Sequence, residues 1–290
     1  MVTLVQLRIL DALGRHGSVT AAAEELHYAQ PTVSHHLARL EGEIGARLTQ
    51  RVGRGIRLTE AGELLAARSA EIVGRVDSAG VELASLVGLQ AGRVRLAGFG
   101  SAMASIIPRA VSNLKVAHPG LTTALVDAHA DDALRQLRDG QVDVAVVFRT
   151  GAEEASDDIR LVHLIDDPLY LLTLSGGTTL RDHRDSPWIG GCDRCRLQQD
   201  RMCEQDGFTP RLLYTSDDMV VMQELVAAGL GVTTIPGLAL RKHRHPDITT
   251  TRLPQSRRIY AATYGDPPDP PATAALLRSL QEAAAAIHAE

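Results

Sequence analysis

Three cysteines, Cys192, Cys195 and Cys203, are the whole thiol content of the chain, and all three fall within one short stretch. An odd, clustered set argues against a structural disulfide framework and points to reactivity, metal binding or packing. Arg194, Arg196 and Arg201 stand among them, and positive charge near a thiol favours the nucleophilic thiolate. Oxidation to a sulfenic acid and then to a local disulfide would change the shape of the segment. A helix predicted over 196–206 constrains the pairing. Eight positions from Cys195 to Cys203 span about 12 Å of helix, whereas disulfide-bonded Cα atoms lie within about 7 Å, so joining those two requires unwinding. Cys192 and Cys195 are closer and form a competing pair. Other chemistries claim the same residues. A histidine such as His183 could complete a zinc site, although only the C-x2-C half has regular spacing. The C-x-x-C pair could belong to an oxidoreductase, although the thioredoxin-like context is absent. Or the thiols simply pack near a ligand pocket.

A second constellation lies near the start. Gln30-Pro31 opens a helix, proline suiting a first turn where a missing N–H is harmless. Val33, Leu37, Leu40 and Ile44 form its apolar stripe, leaving Thr32, Ser34, His35, His36 and Arg39 facing out. Upstream, Leu4, Leu7, Leu10 and Leu13 mark one helix, Gly14 and Gly17 stop it, and Ser18 caps another running to Leu26. Two short helices, the His27-Tyr28-Ala29 turn and a helix with polar residues at its N-terminal end fit a helix-turn-helix, in which that end meets base edges in the major groove. Arg51-Val52-Gly53-Arg54-Gly55-Ile56-Arg57-Leu58 follows, a tight hairpin whose arginines can reach phosphates or a narrow minor groove.

Ser18 to Gly62 resembles the DNA-binding region of LysR-type transcriptional regulators: the paired alanines at 22 and 23, the Gln30-Pro31-x-Val33-Ser34 entry, Leu40-Glu41, and the closing Leu58-Thr59-Glu60-Ala61-Gly62. Thr49 departs from the pattern, the family usually having phenylalanine there, and a small local repacking is expected. On this resemblance Gln30, Pro31, Thr32, Ser34, His35, Arg39, Arg51 and Arg54 are the DNA-binding residues. From Thr59 to Leu89 the chain lacks proline, and Leu65, Ile72, Val76, Ala79, Leu83 and Leu86 make a heptad-like seam suited to a second copy. Gly74 and Gly80 weaken that helix by about 1 kcal/mol each relative to alanine.

Beyond Gly92, strands alternate with helices: strands near 94–97, 122–127 and 142–148, helices over 103–118 and 131–139, and a restart near Leu164. This predicts a mostly parallel sheet buried on both faces. Gly98-x-Gly100 invites a dinucleotide reading, but Met103 stands where the third glycine belongs and no acidic residue follows at the expected distance. No cofactor is expected. Ser101 instead is placed as a helix cap at a crevice. Ile107-Pro108, His118-Pro119-Gly120, Leu137 to Ala145 and Leu225 to Val232 extend the resemblance into the LysR-type effector region, two α/β subdomains arranged like a periplasmic binding protein. It implies an effector near Ser101, Ala102, His129, Phe148, Arg149, Cys192, Thr215 and Ser216. The peroxide-sensing members carry a reactive pair across the cysteine segment, and Cys195 with Cys203 sit one residue short of that spacing.

The bulk numbers agree with this organisation. The 290 residues are 44% hydrophobic and 22% charged, with a net charge of −5, so any basic surface is local. No signal peptide or membrane span is read, and a cytoplasmic location is expected. The reading is therefore an α/β protein with a helical, winged helix-turn-helix N-terminal domain at 1–58, a linker helix at 59–90, and an effector domain at 91–290. In the last, subdomain I is about 91–163 with 265–290, and subdomain II about 164–264. The expected function is transcription regulation, not enzymatic catalysis. The expected partners are double-stranded promoter DNA, a small-molecule effector or oxidant, and a homodimeric or homotetrameric assembly, with no metal and no membrane. The alternative is a thiol oxidoreductase or metal-binding sensor built on Cys192, Cys195 and Cys203.

Overall fold

Thr3 and Gln6 close a capping box at the head of helix α1 (Leu4–His16), and Gly17 ends it in the left-handed region at φ 62°. Ser18 then accepts the Ala21 amide to start α2 (Val19–Glu25). The turn through His27 (φ 56°) leads into α3 (Gln30–Ile44), with Pro31 in its first turn. Ile9, Leu10, Leu13, Ala22, Ala23, Val33, Leu37 and Leu40 make one buried cluster. Ile44 does not join it. It stands 40% exposed, because the stripe has rotated off the packed face by the last turn. Strands β1 (Thr49–Val52) and β2 (Gly55–Leu58) pair antiparallel as a hairpin. Helix α4 (Glu60–Leu86) follows and packs on α1. Gly62 in α4 is required by close approach: a Cβ there would lie 2.0 Å from the Leu48 carbonyl oxygen.

The computed structural model describes residues 2–52, 55–86, 92–149 and 158–289. By packing, they divide into two units: Met1–Gly92 with Arg135–Asp143, and Arg93–Leu134 with Val144–Glu290.

The second unit contains β3 (Gly92–Gly98, which begins at the boundary), α5 (Gly100–Met103), α6 (Ile106–Ala117), β4 (Leu121–Asp127), the start of α7 (Ala130–Arg138), β5 (Val144–Arg149) and β6 (Ile159–Thr173). Then come β7 (Pro187–Gly190), α8 (Asp193–Gln205), β8 (Arg211–Thr215), α9 (Met219–Ala227), β9 (Thr233–Pro236), α10 (Gly237–Leu240), β10 (Thr249–Tyr264) and α11 (Pro271–Ala289). The main sheet has the order β4-β3-β5-β10-β6-β9. The expectation of a mostly parallel sheet is corrected here. β3 and β5 run parallel, but the long β10 returns antiparallel to both β5 and β6, and β9 is antiparallel to β6.

Those two long strands, β6 and β10, serve both lobes of this unit. Ile165, Ile259 and Ala261 belong to the first lobe's core with Leu96, Ile107, Val146 and Leu280. Farther along the same strands, Leu169, Leu171, Leu172 and Leu253 belong to the second lobe's cores with Trp188, Met202, Ile189 and Val226. The lobes therefore divide within strands and not at the ends of segments.

Where β10 and β6 run together lies Arg257, only 2% exposed. Its guanidinium donates to Asp167 Oδ2 (2.9 and 3.0 Å) and to Ser101 Oγ (2.6 Å). It stacks against the rings of Phe99 and Phe148, 4.9 and 4.7 Å from their centroids. Asp167 Oδ1 accepts the Leu238 amide. Removing either partner leaves the other charge buried without compensation, so Arg257→Met or Asp167→Asn should cost about 3–5 kcal/mol. Urea unfolding measures it, and a loss below 1 kcal/mol at either position would show that water or another group already neutralises the pair.

Candidate functional site

On the first unit, α3 presents an outward face at its N-terminal end. Gln30, Pro31, His35 and Arg39 are exposed, and Thr32 and Ser34 are half-buried. Gln30 Nε2 donates to Ser34 Oγ at 3.3 Å, so two of the expected base-contacting side chains are already oriented together. Arg39 leans back on Glu43 (3.1 Å), an exposed pair that a phosphate can displace at little cost. The first turn of α3 contains no acidic residue. Between residues 30 and 57, five arginines stand against two glutamates. The basic charge is local, on a chain that is acidic overall. Arg51 is exposed on β1, and Arg54 lies outside the described residues.

What orients this hairpin was not read from the sequence. One oxygen of Glu41 accepts the Leu48 and Thr49 amides (2.8 and 2.9 Å) and the Thr49 hydroxyl (3.0 Å), while the other receives Arg47. Partial burial opposes the Glu41 charge, but these donors outweigh it and hold the carboxyl below its usual range. Thr49, where the family usually has phenylalanine, joins this arrangement through both its amide and its hydroxyl.

The second unit carries a cleft of about 410 Å³ lined by residues of both lobes. His129, Phe148, Cys192 and Thr215, four of the expected effector residues, line it, as do Asp131, Gly191, Arg194 and Asp217. Two side-chain contacts cross it: the ion pair of Arg194 with Asp131 at 2.6 Å, and His129 Nε2 with Asp217 Oδ2 at 3.3 Å. Arg194 holds the Asp131 carboxyl below its usual range.

The other expected residues are used differently. Ser101 is not a helix cap. Phe99 occupies that position of α5, and Ser101 is buried behind the cleft, holding Arg257. Ala102 is fully buried in the first lobe's core. Arg149 pairs across the sheet with Arg258 in register, and Ser216 accepts the Asp218 amide at the entry to α9. None of these four is a lining residue of the cleft. Arg257 and Asp167, which fix Phe148 and Ser101, were missed: a charged residue in an alternating strand reads as solvent-facing, and its partner lies 90 positions away.

Helix α8 begins at Asp193, three residues before the expected start, and this places Cys192 at its N-cap position. The Cys192 and Cys195 sulfurs lie 3.0 Å apart. Once Cys192 is ionised the Cys195 thiol donates to it, which is the main reason Cys192 falls to about 6; burial opposes the shift, and the Cys195 amide and His129 assist it. Cys195, losing its proton less readily beside that thiolate and partly buried, is pushed up. Cys203 is fully buried in the second lobe among Leu169, Trp188 and Met202, and burial pushes it up to about 12.

The expected arginine effect is not the cause. Arg194 is engaged with Asp131, Arg196 with Asp193, and Arg201 points to solvent. The structure brings Cys192 to Cys195 and leaves Cys203 apart. His183 gives its ring nitrogens to Gly177 and Ser186 in the second lobe. Among the described residues, no helix is long and apolar enough to cross a membrane.

Comparison with known proteins bears on both sites. Residues 4–63 match the bacterial regulatory helix-turn-helix protein family named for lysR, and residues 88–285 match the LysR substrate binding domain. The RuBisCO operon transcriptional regulator of Acidithiobacillus ferrooxidans is 31% identical over 250 residues, covering 82% of this chain and 79% of that protein. The hydrogen peroxide-inducible genes activator of Dickeya chrysanthemi is 27% identical over 282 residues, covering 89% and 88%. The crystal structure of CbnR, a LysR family transcriptional regulator, superposes with a TM-score of 0.69 at 21% identity, over 98% of this chain and 99% of that one. Nothing in the fold or the family supports the thiol oxidoreductase alternative.

Alkylation should separate the three thiols. Cys192 should label with half its plateau rate at about pH 6, following its thiolate. Cys195→Ala removes the main hydrogen bond and should move that midpoint upward, while Cys203 stays unlabelled in native protein at neutral pH. Equal labelling of all three in native protein would show that the segment does not hold this arrangement.

Proposed function

The chain belongs to the LysR family of bacterial transcriptional regulators, DNA-binding proteins with an effector-binding domain, and we propose how its parts divide that work. Gln30, Thr32, Ser34 and His35 read base edges in the major groove, while Arg39, Arg51 and Arg54 serve the phosphate backbone or minor groove. The exposed polar face of α3, flanked by the basic hairpin, supports this assignment. Residues 59–90 pair two subunits. Ile72, Val76 and Leu83 are 44%, 46% and 63% exposed and lie on one stripe of α4, an apolar seam that a second copy would cover. Leu86 belongs to the same expected seam, but its side chain lies outside the described residues.

The signal enters through the cleft of residues 91–290. The observation that carries this reading is a polar cavity, walled by both lobes and crossed by the Arg194–Asp131 and His129–Asp217 contacts, of a size suited to a small molecule. A polar ligand that competes for Arg194 or His129 would loosen those pairs and shift the lobes. The protein acts on promoter DNA in the cytoplasm and catalyses no turnover. Footprinting of DNA selected by the protein from a random pool, with and without candidate small acids and oxidants, tests the scheme. A footprint insensitive to every such addition and to Arg194→Ala would remove the cleft from it.

Losing Ser34 or His35 should cost about 1–3 kcal/mol on the selected site and relax specificity at one position. Losing Arg54 should weaken all sequences alike and flatten the salt dependence. If Ser34→Ala and His35→Ala leave sequence preference unchanged, α3 is not the reading helix. For the seam, Leu83→Glu should give monomers by light scattering and abolish cooperative DNA binding. A monomer binding with full affinity refutes the pairing.

A further inference from the structure

Cys192 and Cys195 sit in a relation that packing alone does not demand. Their sulfurs are 3.0 Å apart at the first turn of α8, and a disulfide bond is about 2.05 Å long. Side-chain rotation of about 1 Å closes that gap, with no unwinding of the helix. From either cysteine, Cys203 lies two or more turns farther along α8 and is fully buried. Cys192 lines the cleft and is open to a small polar oxidant. Cys195 packs against the first lobe's core although its helix belongs to the second lobe.

We propose that Cys192 and Cys195 form a reversible disulfide on reaction with a hydroperoxide entering the cleft, Cys192 being the thiol attacked first and Cys195 the one that resolves it. The Cys192 thiolate attacks one peroxide oxygen, the O–O bond breaks, and the other oxygen leaves as an alcohol, or as water from hydrogen peroxide, after taking a proton. Cys192 is then a sulfenic acid. The Cys195 sulfur, giving up its proton, attacks the Cys192 sulfur, and the hydroxyl leaves with that proton as water. Two thiols and one hydroperoxide thus give one disulfide, one alcohol and one water. A dithiol reductant returns two electrons and two protons.

The order of steps follows from the charges. While Cys192 is a thiolate, it holds the Cys195 proton in place, since its hydrogen bond and its charge both push Cys195 up. Oxidation of Cys192 removes that charge, and Cys195 is freed to react. The cost of being the second thiol is relieved only once the first has reacted. The disulfide also erases a negative charge facing His129, whose pairing with Asp217 crosses the cleft.

The consequence for DNA binding rests on the cleft being the signal site, but the chemistry does not. Trypsin separates the three thiols, because Arg184, Arg194, Arg196, Arg201 and Arg211 place Cys192 in peptide 185–194, Cys195 in 195–196 and Cys203 in 202–211. Full-length protein is treated with one equivalent of hydrogen peroxide, quenched by alkylation and digested. The expected product links 185–194 to 195–196, disappears in Cys192→Ser and Cys195→Ser, persists in Cys203→Ser, and is reversed by a dithiol. Linkage to 202–211, or Cys192 advancing to sulfinic acid without linkage, overturns the proposal, as does unreacted Cys192. A footprint on the selected DNA, taken on the same samples, reports separately. Linkage without any change in footprint upholds the disulfide and removes the cleft's signalling role.

Discussion

A guanidinium with almost no water around it is the constraint on which the effector unit is built. Arg257 on β10 holds Asp167 on β6, Ser101 on α5 and the rings of Phe99 and Phe148, and Asp167 in turn holds the first turn of α10. Taking these two charges out of water costs several kcal/mol each, and their attraction repays that only if every donor and acceptor is placed. The two long strands must therefore keep one register here, where the irregularity between Arg252 and Ser256 already bends the pairing. Because β6 and β10 run through both lobes, fixing them at this point fixes where the lobes can flex. Phe148 carries the constraint to the cleft, presenting one face to the arginine and lining the cavity.

The parts of this protein legible in the sequence are those governed by local periodicity. The Val33, Leu37 and Leu40 spacing, the proline at 31 and the caps at 17 and 18 fix the first three helices without reference to the rest of the chain. The illegible parts depend on residues far apart. Arg257 and Asp167 each look like ordinary polar strand positions until 90 residues of intervening chain bring them together. The direction of β10 is likewise set by what it returns to, so alternation of strand and helix suggested a parallel sheet that the long return strand denies.

A shorter-range error concerns where α8 begins. Starting α8 at 196 left both Cys192 and Cys195 outside the helix, so spacing alone set Cys192–Cys195 and Cys195–Cys203 side by side as competing pairs. β7 ends at Gly190 and α8 already begins at Asp193, so Cys192 becomes its N-cap residue. Arginine content then misled in the same direction. Three guanidiniums beside three thiols suggest direct stabilisation of a thiolate, yet Arg194 and Arg196 are committed to carboxylates, and a carboxylate partner cancels much of a cation's field at short range.

The two functional regions solve one problem in different ways: each places an anion by surrounding it with donors. In the hairpin, Glu41 gathers two amides, a hydroxyl and a guanidinium, and so ties β1 to α3 without an aromatic wedge. In the cleft, the Cys192 sulfur is served chiefly by the Cys195 thiol, with help from the Cys195 amide and from a histidine that is itself shared with Asp217. The first arrangement has several independent donors, so losing one leaves the rest, and it suits a permanent joint. The second depends mainly on one proton that chemistry at the sulfur can remove. An anion held mainly by one thiol proton beside an open cavity is poised to change state, and its neighbours Asp131, Arg194 and Asp217 come from both lobes. A local change of charge at that sulfur is thus felt on both sides of the cleft.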